Sequence, residues 1–159
     1  MLGNPQSVGQ RPLTFHRQVL ALCIDPGLLE DALAGGKASE IYPSDVIARA
    51  KKLMDATGGH GLGAYTHSKG VPAIRETVAA FIEERDGYPC DPENLFLTNG
   101  ASDGVSAVLD LLITSEKDGV MIPIPQYPLY SAAMALKGGA AVEYFLDENR
   151  SWGLTVEAL

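Results

Sequence analysis

Cysteine is scarce in this sequence of 159 residues, and its scarcity excludes a disulfide scaffold. Cys23 and Cys90 are the only two cysteines. Neither has the spacing to another cysteine, or to one of the three histidines, that is typical of a metal site. We therefore expect a protein of a reducing compartment that holds no metal.

Basic residues and long apolar runs are also in short supply. Twelve Lys and Arg against 20 Asp and Glu give a net charge of -8, which argues against binding to nucleic acid or anionic lipid surfaces. No apolar run is long enough to span a bilayer, and the first residues lack the basic and then apolar pattern of a secretion signal. We expect no nucleic-acid partner, no membrane partner and a cytoplasmic location, with mitochondria and peroxisomes as alternatives.

The composition that remains is that of a packed globular protein, with 46% hydrophobic and 20% charged residues. Apolar residues at helical spacing predict three helices in the first half. They run from Thr14 to Leu22, from Ser44 to about Met54, and from Pro72 to Asp86. The last of these is expected to bury Ile74, Val78, Phe81 and Ile82.

Two segments of the first half are predicted to be irregular. The stretch from Asp31 to Tyr42 contains Gly35-Gly36 and no sustained period, which indicates a loop with at most one helical turn. The stretch from Gly58 to Gly70 is rich in glycine and includes Tyr65 and His67. Such permissive loops often carry functional residues.

From Asn94 onward, strand patterns alternate with helix patterns. The predicted order is strand 95–98, a helix through Val105 and Leu112, strand 120–124, helix 130–136 and strand 141–146. This β-α-β-α-β order predicts parallel strands in a three-layer α/β domain. Three strands are too few for a parallel sheet covered on both faces, so we expect part of a larger protein, with helical residues 1–90 preceding an incomplete α/β domain over 91–159.

The turn after the first predicted strand, Thr98 to Gly104, is the most informative local motif. A helix that begins near Ala101 would point unpaired backbone amides and a partial positive charge outward, and Ser102 adds a hydroxyl group. A phosphate group could bind there. The alternative is an ordinary capped helix in which Ser102 or Asp103 satisfies the free amides.

The second motif, Pro123 to Tyr130, follows the second predicted strand. Ligands of open α/β sheets lie beyond the carboxyl ends of the strands, where both motifs would meet. Tyr127 stands between Pro125 and Pro128 and could present its ring face to a flat aromatic ligand. It could equally pack within a proline-rich turn. Together the two motifs suggest a phosphorylated aromatic cofactor.

These segments closely resemble those of the alanine aminotransferases, within the fold-type-I pyridoxal-phosphate enzymes. The matching segments, in chain order, are Gly3-Asn4-Pro5, Thr14 to Cys23, Gly63-Ala64-Tyr65, Gly70 to Arg75, Asn94 to Gly104 and Ile124 to Tyr130. The resemblance implies a homodimer that carries pyridoxal 5'-phosphate and transaminates between L-alanine and 2-oxoglutarate, a small-molecule amino acid and 2-oxo acid. Glutamate:glyoxylate aminotransferase shares these motifs and stays an alternative.

The resemblance also implies roles for individual residues. Ala101 and Ser102 would bind the cofactor phosphate, and Tyr127 would stack on the pyridine ring. Gly3 would lie beside the substrate carboxylate. Tyr65 would reach across a dimer interface to the phosphate of the neighbouring subunit.

Several residues of the family's pattern are not found in this chain. These are the asparagine of an Asn-Pro-Thr-Gly-like segment, the aspartate that pairs with the pyridine nitrogen, the Schiff-base lysine of a Ser-x-x-Lys motif and an arginine for the substrate carboxylate. We therefore assign no catalytic residue and expect this chain alone to be inactive. A non-catalytic fragment and an unrelated α/β module that binds a phosphorylated metabolite stay open.

Two basic residues near the glycine-rich loop need separate interpretation. The run Thr66 to Gly70 imitates the lysine motif, but it precedes the phosphate turn, so Lys69 is interpreted as an ordinary solvated loop lysine. Arg75 resembles an arginine that follows the glycine loop in the family. On a helix of this pattern, Arg75 could equally be a surface residue.

Overall fold

The chain forms two compact units that divide after Leu97. The structure is a computed structural model and describes residues 4–59 and 62–156. The first unit is helical, and the second combines helices with a short parallel sheet. The predicted domain boundary between residues 90 and 91 stays a prediction.

The first unit contains five α-helices among its described residues: α1 Phe15–Ile24, α2 Pro26–Leu33, α3 Lys37–Ile41, α4 Ser44–Ala56 and α5 Pro72–Asp86. Short 3-10 helices cover Pro5–Val8 and Pro92–Asn94. Helices α1 and α4 pack against each other around Leu22, Val46 and Ala50, which are at most 1% exposed. The predicted helices from Thr14, Ser44 and Pro72 are confirmed.

The prediction of a loop from Asp31 to Tyr42 is wrong, because this stretch lies largely in α2 and α3. Asp25 and Pro26, interpreted as an end signal for α1, also begin α2: the Asp25 carboxylate accepts a hydrogen bond from the Gly27 amide at 3.1 Å, and proline suits the first helical turn. Gly35, with φ of +75°, then makes the break between α2 and α3. The Asp31 carboxylate accepts a hydrogen bond from the Ala38 amide at 2.8 Å, which ties the two short helices together.

The predicted buried face of α5 is also wrong. Ile74 and Phe81 are exposed, and Val78 and Ile82 are half-buried. The helix instead buries Arg75 and Ala79, four residues apart on one face. The apolar period therefore located the helix but not the face that is covered within its unit.

The second unit contains α6 Ala101–Leu112, β1 Gly119–Ile124, α7 Leu129–Lys137 and β2 Ala140–Phe145, followed by a 3-10 helix at Glu148–Arg150. The two strands are parallel and pair from Gly119 with Ala140 to Ile124 with Phe145. Helix α7 connects them, as parallel pairing requires. Leu109, Ile122, Ala133 and Met134 form the core of this unit.

The predicted strand 95–98 does not form among the described residues, where the sheet has two strands. The backbone at Leu95 is extended, with φ of -100° and ψ of 134°, as the sequence pattern predicts. A strand also needs a neighbour for its hydrogen bonds. The Leu97 amide instead donates to the Lys69 carbonyl oxygen at 2.8 Å, which joins this segment to the glycine-rich loop.

None of the described helices has the length and apolarity that crossing a membrane requires. Across residues 4–59 and 62–156, no group of His, Cys, Asp and Glu is arranged to hold a metal ion.

Candidate phosphate-binding turn

The turn from Thr98 to Gly104 leads into α6 through a backbone conformation that favours glycine. Gly100 has φ of +84° and ψ of 169°, a conformation that side chains disfavour. The Thr98 hydroxyl donates to the Gly100 carbonyl oxygen at 3.0 Å, and the Asn99 amide donates to the Asp103 carboxylate at 3.3 Å. These contacts hold the turn in one shape without covering the start of the helix.

The backbone amides at the start of α6 are available to a ligand. Those of Ala101 and Ser102 donate to no described residue, and Gly100 has no side chain with which to cap the helix. The Asp103 carboxylate is occupied by the Asn99 amide. Because free amides and the helix dipole favour an anion, this arrangement fits a phosphate group.

The start of α6 and the carboxyl end of β1 contribute to the lining of one cavity. Ala101, Pro123 and Tyr130 line one cavity of about 640 Å³, whose walls are mostly apolar. Ser102 lines another of about 430 Å³, together with Leu129 of α7. Residues of both motifs thus line one cavity, whereas a shared ligand site stays a prediction.

Tyr127 lies in the turn between β1 and α7 with 53% of its surface exposed. It lines neither of the two cavities. The stacking role stays a prediction. In the same turn, the Gln126 side-chain Nε2 donates to the Ser131 hydroxyl at 3.1 Å, and its buried oxygen has no hydrogen-bond partner among the described residues.

The other predicted site residues lie in the first unit or outside the described range. Tyr65 belongs to the glycine-rich loop and is fully exposed, which suits a residue that contacts another molecule. Gly3 lies outside the described residues. The roles predicted for both stay predictions.

Lys69 is not the solvated loop lysine that the sequence suggested. Its Nζ donates to the Glu93 carbonyl oxygen at 2.7 Å, lies 3.4 Å from the Glu93 carboxylate and is 5.5 Å from the centre of the Phe96 ring. The side chain is 28% exposed. These contacts hold the ammonium group in place, so the prediction of solvation is wrong.

Arg75 is the residue whose importance the sequence did not establish. It is 2% exposed and is the one charged side chain buried within the described residues. Its Nη1 donates to the Pro92 carbonyl oxygen at 2.6 Å and to the Glu93 carboxylate at 3.0 Å, and its Nε donates to the Gly70 carbonyl oxygen at 3.2 Å. The one sequence signal for the burial of Arg75 is its spacing of four residues from Ala79, which puts both residues on one face of the helix.

The same contacts alter the acidity of Glu93. Hydrogen bonds from Arg75 first, and then from Lys69, lower the pKa of the Glu93 carboxyl group, because they stabilise its charged form. The second unit has a similar carboxylate in Asp118. The Thr114 amide and hydroxyl and the Ser115 amide donate to it, and these hydrogen bonds lower its pKa.

Residues 34–159 match the model of the family described as aminotransferase class I and II. The chain is 54% identical to glutamate–glyoxylate aminotransferase 2 of Arabidopsis thaliana over 158 residues, which cover 99% of this chain and 32% of the relative. It is 52% identical to the mitochondrial alanine aminotransferase 1 of the same plant, covering 99% of this chain and 28% of the relative. Identity to human alanine aminotransferase 1 is 51%, over 99% of this chain and 31% of the relative. The chain thus spans about a third of the length of these relatives.

Solved structures show the same fold. An aminotransferase from Escherichia coli superposes with a TM-score of 0.65 at 23% identity, over 99% of this chain and 30% of that one. An alanine aminotransferase from Pyrococcus furiosus gives a TM-score of 0.58 at 21% identity, over 68% of this chain and 27% of that one. The predicted fold class is confirmed as the mixed α/β fold of fold-type-I aminotransferases, here with a partial sheet.

Proposed function

Because this chain belongs to the class I and II aminotransferases, we propose that it forms the phosphate-binding part of a pyridoxal-phosphate site in a transaminase. The single observation that carries this proposal is the start of α6. There the amides of Ala101 and Ser102 are free of described partners, and Ala101 lines the same cavity as Pro123 at the carboxyl end of β1.

Each residue has a definite task in this proposal. The amides of Ala101 and Ser102 and the Ser102 hydroxyl bind the phosphate. Tyr127 orients the pyridine ring by stacking, and the apolar walls of the neighbouring cavity exclude water. The bound cofactor supplies an electron sink for the bonds at the substrate's amino-bearing carbon. No proton-transfer residue is assigned within this chain.

We propose L-alanine and 2-oxoglutarate as the substrates of the whole protein, with L-glutamate and glyoxylate as the second candidate. Relatives at 54% and 52% identity carry the two different activities in their names, so neither is favoured by identity alone. A homodimer is proposed, with fully exposed Tyr65 as its contact to the neighbouring phosphate. A cytoplasmic location is the first choice, and the mitochondrial relative supports the alternative.

Equilibrium dialysis with pyridoxamine 5'-phosphate tests the phosphate site, because this cofactor form has no aldehyde that would react with surface lysines. We expect the chain to bind it more tightly than inorganic phosphate and Ser102→Ala to weaken binding about three- to tenfold, the effect of one lost hydrogen bond to a charged group. Ser44→Ala is the matched control, because Ser44 is an exposed serine in the first turn of α4. Equal effects of both substitutions would contradict the proposed site.

Borohydride reduction in the presence of pyridoxal phosphate tests the assignment of Lys69. Mass spectrometry should find less modification at Lys69, whose ammonium group is bound to Glu93, than at exposed Lys52 on α4. Selective modification of Lys69 would show that it reacts with the cofactor, contrary to this account.

A further inference from the structure

A buried arginine holds two segments of the first unit together. Arg75 projects from α5 and donates to acceptors on both sides: the Gly70 carbonyl oxygen at the end of the glycine-rich loop, and the Pro92 carbonyl oxygen and Glu93 carboxylate in the segment that follows α5. Burying a guanidinium group is costly unless its donors are satisfied. The acceptors on both sides meet that need, so the charge is stabilised only while the segments stay in place.

Further contacts join the same two segments. Lys69 Nζ donates to Glu93, and the Leu97 amide donates to the Lys69 carbonyl oxygen at 2.8 Å. Gly70 has φ of +106°, and a Cβ atom at this position would lie 2.6 Å from the Leu97 side chain. The loop end therefore fits closely against residues 92–97, at a position where only glycine leaves room.

The location of this contact matters because the chain continues directly from Leu97 into the Thr98–Gly104 turn. We propose that Arg75, with Glu93 and Lys69, forms a clamp that positions the segment entering the phosphate turn against the loop that carries Tyr65. Arg75 is thus a positioning residue that touches no cofactor atom. Its effect on cofactor binding rests on the proposed function, whereas the clamp itself does not.

Amide hydrogen exchange in the whole chain tests the clamp. Arg75→Lys keeps the charge but cannot reproduce the planar fork that reaches three acceptors. We expect the Leu97 amide to exchange roughly tenfold faster in this variant, as loss of about one hydrogen bond predicts. Arg85→Lys is the matched control, because Arg85 lies on the same helix, is 58% exposed and contacts Asp86 and the Phe81 ring, neither of which belongs to the clamp. An unchanged Leu97 exchange rate in Arg75→Lys overturns the proposal.

A second pair of variants separates positioning from general loss of stability. Glu93→Gln removes the carboxylate from the exposed side of the clamp and should raise Leu97 exchange in the same direction, by a smaller factor. Leu29→Ala weakens the core of the first unit away from the clamp. It should lower the urea midpoint while leaving the affinity for pyridoxamine 5'-phosphate unchanged, whereas Arg75→Lys should weaken that affinity about threefold.

The outcomes distinguish the clamp from the cofactor site. Faster Leu97 exchange with weaker pyridoxamine 5'-phosphate binding supports the whole proposal. Faster exchange with unchanged affinity overturns the positioning role. Faster exchange in a chain whose wild type binds no pyridoxamine 5'-phosphate supports the clamp and contradicts the proposed function instead.

Discussion

The two units of the chain differ in how completely they bury their apolar residues. In the first, helices close in sequence enclose Leu22 and Ala50 at 0% exposure. In the second, Met121, Val142 and Phe145 of the sheet remain 49%, 48% and 66% exposed. Helices can bury their apolar faces against other helices nearby in the chain. Parallel sheets are normally covered on both faces by segments that are distant in the chain. The unit with the candidate phosphate turn is therefore the one with less cover among the described residues.

The largest loss of stability should come from a substitution in the helical core of the first unit. Leu22→Ala removes a fully buried side chain between α1 and α4 and should lower the free energy of unfolding by about 3–4 kcal/mol. Urea titration followed by far-ultraviolet circular dichroism measures it. Leu20→Ala on the same helix, at a side chain 49% exposed, should cost well under 1 kcal/mol. Similar costs for the two would show that the helical core is not packed as described.

In the second unit, Ile122→Ala should lower the free energy of unfolding by less than Leu22→Ala does in the first. Ile122 is 3% exposed, but it lines the cavity of about 640 Å³ beside α6. Neighbours of an open cavity can rearrange more easily, so we expect about 2 kcal/mol for Ile122→Ala, near the low end for such changes. The same urea titration applies. A cost that equals or exceeds that of Leu22→Ala would break the comparison between the units.

Two glycine substitutions in the first unit should have smaller effects on stability. Their difference separates the cost of a positive φ from the cost of a steric clash. Gly70→Ala combines a positive φ with a clash against Leu97 and should cost about 2 kcal/mol. Gly35→Ala has a positive φ of 75° but open space around the new atom, so it should cost about 1 kcal/mol. Thermal unfolding measures the difference. Equal costs would mean that the loop does not fit closely against residues 92–97.

The smallest effects should appear as pH dependence. The pKa of Glu93 is lowered by folding, so its stabilising contribution is complete above its ordinary pKa of 4.5 and is lost as pH falls through the lowered folded value. Glu93→Gln should therefore reduce the acid dependence of the urea midpoint. Asp118→Asn should act in the same way, from its ordinary pKa of 3.8 downward. Unaltered acid dependence in both variants would contradict the hydrogen bonds described for these carboxylates.

Much of the fold follows from local sequence signals. The helices from Thr14, Ser44 and Pro72, and the order from α6 to β2, are set by apolar period and turn residues. The sequence predicts a loop from Asp31 to Tyr42 instead of the end of α2 and α3, because Asp25-Pro26-Gly27 is typical of a helix end and here also begins α2. Strand 95–98 was predicted from a pattern that determines an extended backbone, whereas a strand also requires a paired neighbour.

The sequence also predicts part of the candidate site. Ala101 and Pro123 line one cavity, and the alternation of strand and helix patterns predicts that their two segments lie near each other. The burial of Arg75 depends on carbonyl groups 5 and 17 residues away, which no local pattern records. The position of the Lys69 ammonium group likewise depends on its contact with Glu93, 24 residues away.

The most direct test of the central claim is an NMR titration of the chain with pyridoxamine 5'-phosphate. We predict that the Ala101 and Ser102 amide resonances and the Tyr127 ring resonances shift together along one saturating curve, because one molecule contacts both motifs. Shifts of the amides without the ring, or with a different affinity, would contradict a shared cofactor site.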